Sequence, residues 1–75
     1  MPPHPILIHR AALLRARRKE RGLTLAQVAE GVGVAIPTVS RWETGAIDPT
    51  IENKLAVAAL LEVDPAELFP FRAPV

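Results

Sequence analysis

The 75-residue sequence predicts an all-α domain of five helices. Apolar residues recur at spacings of three and four, as one face of a helix requires, and no segment alternates apolar with polar residues as a half-buried strand would. Glycines, prolines and capping residues then cut the chain into helix-sized pieces at Gly22, Gly33, Gly45, Asp48-Pro49-Thr50 and Asp64-Pro65. With no cysteine, neither a disulfide nor a thiolate metal site can staple the chain. A domain this short buries only about 60% of its unfolded surface. Helix packing, or a partner, must therefore supply the stability.

The opening MPPHP has three prolines in five residues, so residues 1–5 are expected to form a flexible arm, with one domain over 6–69 and an extended tail over 70–75. From Ile6 to Arg21 nothing breaks a helix, and Leu7, Ala11, Leu14 and Leu13 mark its apolar stripe before Gly22. Thr24 with Gln27 three residues on is a capping-box pattern, starting a short second helix with Val28, Ala29 and Val32 inward and Gly33 as its stop. Pro37 fits only a first helical turn, so the third helix starts near Ile36, turns Val39 and Trp42 inward and ends at Gly45. After the Asp48-Pro49 turn, Thr50 caps a fourth helix over about Ile51 to Glu62, with Ile51, Leu55, Ala58 and Leu61 expected to face inward. Asp64-Pro65-Ala66-Glu67 starts a single-turn fifth helix that ends before Pro70.

Net charge is +1, but the charges are segregated along the chain. Up to Trp42, Arg10, Arg15, Arg17, Arg18, Lys19, Arg21 and Arg41 face only Glu20 and Glu30; beyond it Glu43, Asp48, Glu52, Glu62, Asp64 and Glu67 face only Lys54 and Arg72. A basic face beside an acidic one is the expectation. No apolar run approaches the roughly 20 residues of a membrane span, and no signal peptide is expected, so a cytoplasmic protein is anticipated. His4 and His9 are five apart, the wrong spacing for one helical face, and are expected to be solvent-exposed; no metal and no cofactor are expected. With no cysteine, no tyrosine and no glycine-rich phosphate loop, no enzyme is expected either.

The stretch LAQVAEGVGVAIPTVSRWET decides among helical bundles. Two helices that cross steeply over so short a link need a small facing residue, Ala29, and a glycine able to adopt positive φ, Gly33. Val28, Val32, Val34, Val39 and Trp42 then lock the third helix at a fixed angle. Together with DPTIENKLAVAALLEVDPAELF, this stretch resembles the Cro and repressor-like (Xre) family over roughly residues 10–69. The resemblance implies a five-helix, lambda-repressor-like helix-turn-helix domain that binds double-stranded DNA. It places Ala35, Ile36, Pro37, Thr38, Ser40 and Arg41 at base edges in the major groove, with Arg41 the strongest reader because a guanidinium matches guanine O6 and N7. Phosphate contacts are implied at the head of the second helix, by Thr24, Leu25 and Gln27, and at the amides of Gly45 and Ala46.

Leu25 stands where relatives often have glutamine, Asp48 where they are often basic and Arg17 where they are usually apolar. Arg10, Arg15, Arg17 and Lys19 are candidate compensating cations. Arg18 and Glu43 match a salt bridge of relatives that orients the third helix. Leu60, Leu61, Leu68, Phe69 and Phe71 exceed what one small core needs and are expected at a homodimer interface; Ile6 and Ile8 of the N-terminal region are a second candidate surface. The function expected is a dimeric repressor, or an antitoxin-like autoregulator with a regulatory partner protein, on a pseudo-palindromic operator. The alternative is a protein-interaction module of the same fold with weak or no DNA binding.

Overall fold

The computed structural model of the chain describes residues 4–71. Five helices, α1 (Pro5–Glu20), α2 (Leu25–Val32), α3 (Ile36–Thr44), α4 (Ile51–Leu61) and α5 (Pro65–Leu68), account for the regular structure, and no strand occurs among the described residues. α1 begins one residue inside the expected arm. Proline is at home at the first helical position, where its missing N–H has no intrahelical acceptor, and the Ile6 N–H donates instead to Nδ1 of the capping His4 at 3.1 Å. The tail expected over 70–75 is described only at Pro70 and Phe71; Arg72 to Val75 lie outside the described residues.

The capping box at α2 is complete: Gln27 N–H donates to Thr24 Oγ1 at 3.0 Å and Thr24 N–H to Gln27 Oε1 at 2.8 Å. Gly33 ends the helix at φ +86°, and its N–H and that of Val34 both reach the Ala29 carbonyl, at 2.8 and 3.0 Å. A left-handed residue here turns the chain sharply enough for α3 to begin three residues later. α4 starts from the Thr50 cap, and Glu62 closes it in the left-handed region at φ 57°. The Asp64 carboxylate accepts from Ala66 N–H at 2.8 Å to start α5.

α3 packs against both α1 and α2, α2 against α4, and α5 against α4 and α1. The core is Leu14 from α1, Val28 and Ala29 from α2, Val39 and Trp42 from α3, Val57, Ala58 and Leu61 from α4, with Leu68 and Phe69 closing one end. Trp42 is 3% exposed, so the indole is core and not a stacking surface.

Two expectations about α4 and α5 are corrected. Ile51 and Leu55 do not face inward: they are 76% and 55% exposed, and α4 instead buries Val57, Ala58 and Leu61. The helix is apolar nearly all round, so two stripes that share Ala58 and Leu61 fit its spacing equally, and only tertiary packing chooses between them. Of the five residues expected at a dimer interface, Leu61, Leu68 and Phe69 lie in the protein's own core. Leu60 is half-buried over α2, where its methyls approach 2.9 Å to where a Cβ on Gly31 would lie. Only Phe71 is free, at 93% exposure.

Candidate nucleic-acid interface

α3 turns its two large apolar residues, Val39 and Trp42, into the core and Glu43 toward α1, which leaves the opposite side of the helix accessible. Ala35, Ile36, Pro37 and Arg41 are exposed, and Thr38 and Ser40 are half-exposed. All six residues expected at base edges thus lie on the accessible side of one helix or at its cap. Ala35 makes no side-chain cap, so the start of α3 presents only small and apolar groups to a ligand. Arg41, three to four residues further along, is the one charged side chain among the six.

What holds α3 is an ion pair to α1. Arg18 Nε donates to Glu43 Oε2 at 2.6 Å, Nη2 to Oε1 at 2.9 Å and Nη1 to the Leu23 carbonyl at 2.8 Å. The side chains are only 11% and 7% exposed, so both charges are largely removed from water and depend on each other. The hydrogen bond to Glu43 raises the Arg18 pKa above its ordinary value, with burial opposing and the carboxylate's charge adding. A bidentate guanidinium–carboxylate pair fixes orientation as well as distance, so it sets the azimuth at which α3 presents Arg41.

The head of α2 keeps its first-turn amides, including those of Leu25 and Ala26, without intrahelical acceptors, as any helix start does. The Leu25 side chain packs on the core, so this residue offers a ligand its backbone only. Thr24 and Gln27 use their side-chain oxygens in the capping box; the Thr24 hydroxyl hydrogen and the Gln27 amide NH₂ stay available as donors.

The amides of Gly45 and Ala46 do not meet expectation. Gly45 N–H donates to the Trp42 carbonyl at 3.4 Å, and those of Ala46 and Ile47 to the Arg41 carbonyl at 3.0 and 3.3 Å. They satisfy the carbonyls that end α3, which leaves them no bond for a phosphate. Gly45 is also buried, in the left-handed region at φ +79°, and a Cβ there would sit 3.4 Å from the Leu7 carbonyl oxygen.

Folding also undoes most of the charge segregation. Arg18 pairs with Glu43, Arg10 with Asp48 at 3.1 Å, Arg21 with Glu62, Lys54 with Asp48 at 2.6 Å and Arg17 with Glu20 at 3.0 Å. Three of these pairs bring an acid of the second half onto a base of α1 or its cap. Arg10 is further fixed by donating from Nε to the Pro70 carbonyl at 2.8 Å, so neither it nor Arg17 is a free cation. Among the described residues, Arg15, Lys19 and Arg41 are the lysines and arginines that lack an acidic partner within 4.0 Å. Asp48 as the joint partner of Arg10 and Lys54 was not legible beforehand, because those partners come from different helices. His4 is exposed and His9 half-buried. Among the described residues no three His, Cys, Asp or Glu side chains gather as a metal site would require, and no helix is long and apolar enough to cross a membrane.

A short helix held by its inner face on two others, with an accessible outer face and an unpaired arginine, is a helix-turn-helix arrangement, and with the matches that follow it makes the protein a DNA-binding transcription regulator. The chain belongs to the helix-turn-helix family of the Cro and repressor-like (Xre) type, whose profile matches residues 14–68. Among solved structures it is similar to the restriction-modification controller protein C.AhdI from Aeromonas hydrophila, with 30% identity, 84% of this chain and 96% of that chain covered, and a TM-score of 0.80. No curated protein matches the chain.

Proposed function

We propose that the protein is a cytoplasmic, dimeric transcription regulator, a repressor or autoregulator, that places α3 in the major groove of a pseudo-palindromic DNA site. The observation that carries this reading is the presentation of Ala35, Ile36, Pro37, Thr38, Ser40 and Arg41 on the accessible side of a helix fixed by Trp42 and by the Arg18–Glu43 pair. Arg41 reads a guanine; Ile36 and Pro37 give apolar contact, with a thymine methyl as the natural target. The amides at the head of α2, with Thr24 and Gln27, contact a phosphate. Similarity to a controller protein favours a regulator over an interaction module.

Size makes pairing of two copies the economical way to reach two groove faces. The described part of the chain measures 32 × 25 × 22 Å, whereas successive major-groove faces lie about 34 Å apart. One copy reaches one of them. The surface we assign to the second copy is the exposed apolar patch of Ile51, Leu55 and Phe71, which borders a groove of about 420 Å³ floored by Pro65, Ala66 and Phe69. It replaces Leu60, Leu61, Leu68 and Phe69, which the fold itself covers.

Titration of the protein onto mixed duplex at increasing salt tests the regulator reading. A protein that neutralises several phosphates loses affinity linearly in log salt, with a slope of about −0.9 per phosphate. Absence of duplex binding even at low salt overturns it and leaves the interaction module.

A further inference from the structure

We infer that Arg15 and Lys19, one turn apart on α1, form a second cationic contact to the DNA phosphate backbone, beside the groove that α3 enters. The inference rests on the reading of the chain as a duplex-binding regulator and names residues of α1, outside the two helices that define the motif. Its first support is the pairing pattern. Every other lysine and arginine of α1 and its cap is engaged by a carboxylate: Arg10 by Asp48, Arg17 by Glu20, Arg18 by Glu43 and Arg21 by Glu62. Arg15 and Lys19 are exposed and have none among the described residues.

Like charges four apart on a helix repel each other, so this arrangement works against α1 unless an anion lies across it. The second support is position. Arg15 lines a cleft of about 210 Å³ together with Leu25 at the head of α2 and Ser40 and Thr44 of α3. Arg15 and Lys19 both border a shallower groove of about 370 Å³ that runs along α1 to Thr44. The one acid lining either cleft is Glu43, and both of its oxygens are bound by Arg18. The field there is therefore positive, on the side of α1 that adjoins the outer edge of α3.

A guanidinium and an ammonium at this spacing complement a phosphodiester chain, with the guanidinium able to hold one phosphate by two hydrogen bonds. The contact carries no sequence information; it fixes how the protein sits across the duplex.

The test compares the full-length protein with Arg15→Gln, Lys19→Gln and the double variant, on its preferred duplex and on an unrelated one, between about 50 and 200 mM salt. Each single change is expected to lower affinity by up to about 8-fold at 0.1 M salt, equally on both duplexes, with the log–log salt slope of the double variant shallower by about 2. Arg15→Lys keeps most of the slope. Arg21→Gln, an equal loss of charge on the cap of α1, leaves it unchanged. A double variant with the parental slope overturns the inference and leaves the regulator reading standing; so does an Arg21→Gln loss as large as that of Arg15→Gln, which would show only net charge. Failure of the parent protein to bind any duplex overturns both.

Discussion

At the scale of single residues, the proposed function divides the side chains into those that hold α3 and one that would read with it. Glu43 belongs to the first kind. Its truncation to alanine strands the Arg18 charge at 11% exposure, and such a loss costs about 3–5 kcal/mol, so a large drop in the urea midpoint is expected. Replacing both partners together, Arg18→Met with Glu43→Leu, should recover much of that loss, because no charge is then left buried. A Glu43→Ala protein as stable as the parent would show that water already solvates the pair. The pH dependence has a definite sign: with its folded pKa raised, Arg18 keeps its full contribution up to its unfolded value and loses it only in alkali beyond any working range. Arg41 belongs to the second kind. Arg41→Ala leaves the fold alone and is expected to weaken specific binding by about 1–3 kcal/mol while relaxing preference at one base pair per half-site. Competition binding against single-base variants of the site reads this directly.

The elements show where sequence speaks and where it falls silent. Helix starts and stops were legible because each has a local chemical cause: Thr24 with Gln27, Pro37 in a first turn, Asp64-Pro65, and glycines at Gly33 and Gly45 with positive φ. Gly33 gives the sharpest element-scale prediction. No atom lies within 4 Å of where its Cβ would go, so Gly33→Ala meets no clash and pays only left-handed backbone strain, about 1–2 kcal/mol. Melting should fall by roughly 4–8 °C per kcal/mol in a domain of this size. An unchanged melting temperature would mean that the link between α2 and α3 tolerates another backbone geometry. The face of α4 was not legible, since a helix apolar nearly all round gives no single stripe; Ile51 and Leu55 satisfy the same spacing that Val57 and Leu61 occupy. Ion pairs across elements were invisible for a related reason. Asp48, Glu43 and Glu62 read as an acidic half of the chain until folding sets them on Arg10, Arg18 and Arg21. The bonds of the Gly45 and Ala46 amides were hidden too, because a loop after a helix looks free in sequence, although these amides donate to the carbonyls that end α3.

At the scale of the whole molecule, one copy offers a nine-residue α3 with a single arginine, which in the proposed role is too little for a selective regulator acting alone. In the proposed dimer, two copies paired through Ile51, Leu55 and Phe71 would double the contact and impose two-fold symmetry on the site. Leu55→Asp places a charge in that patch without touching the core, so it should leave the helix content intact, convert a dimer to a monomer in sedimentation and abolish cooperative binding. A dimer indifferent to Leu55→Asp and Phe71→Asp moves the pairing surface to the N-terminal region around Ile8. Whether two copies of α3 read a symmetric DNA site is decided by selecting bound duplexes from a random pool with the full-length protein. The expected result is a pseudo-palindrome with half-site centres about 10–10.5 base pairs apart, occupied by two copies. A pool with no enriched sequence, or an asymmetric site holding a single copy, would contradict it.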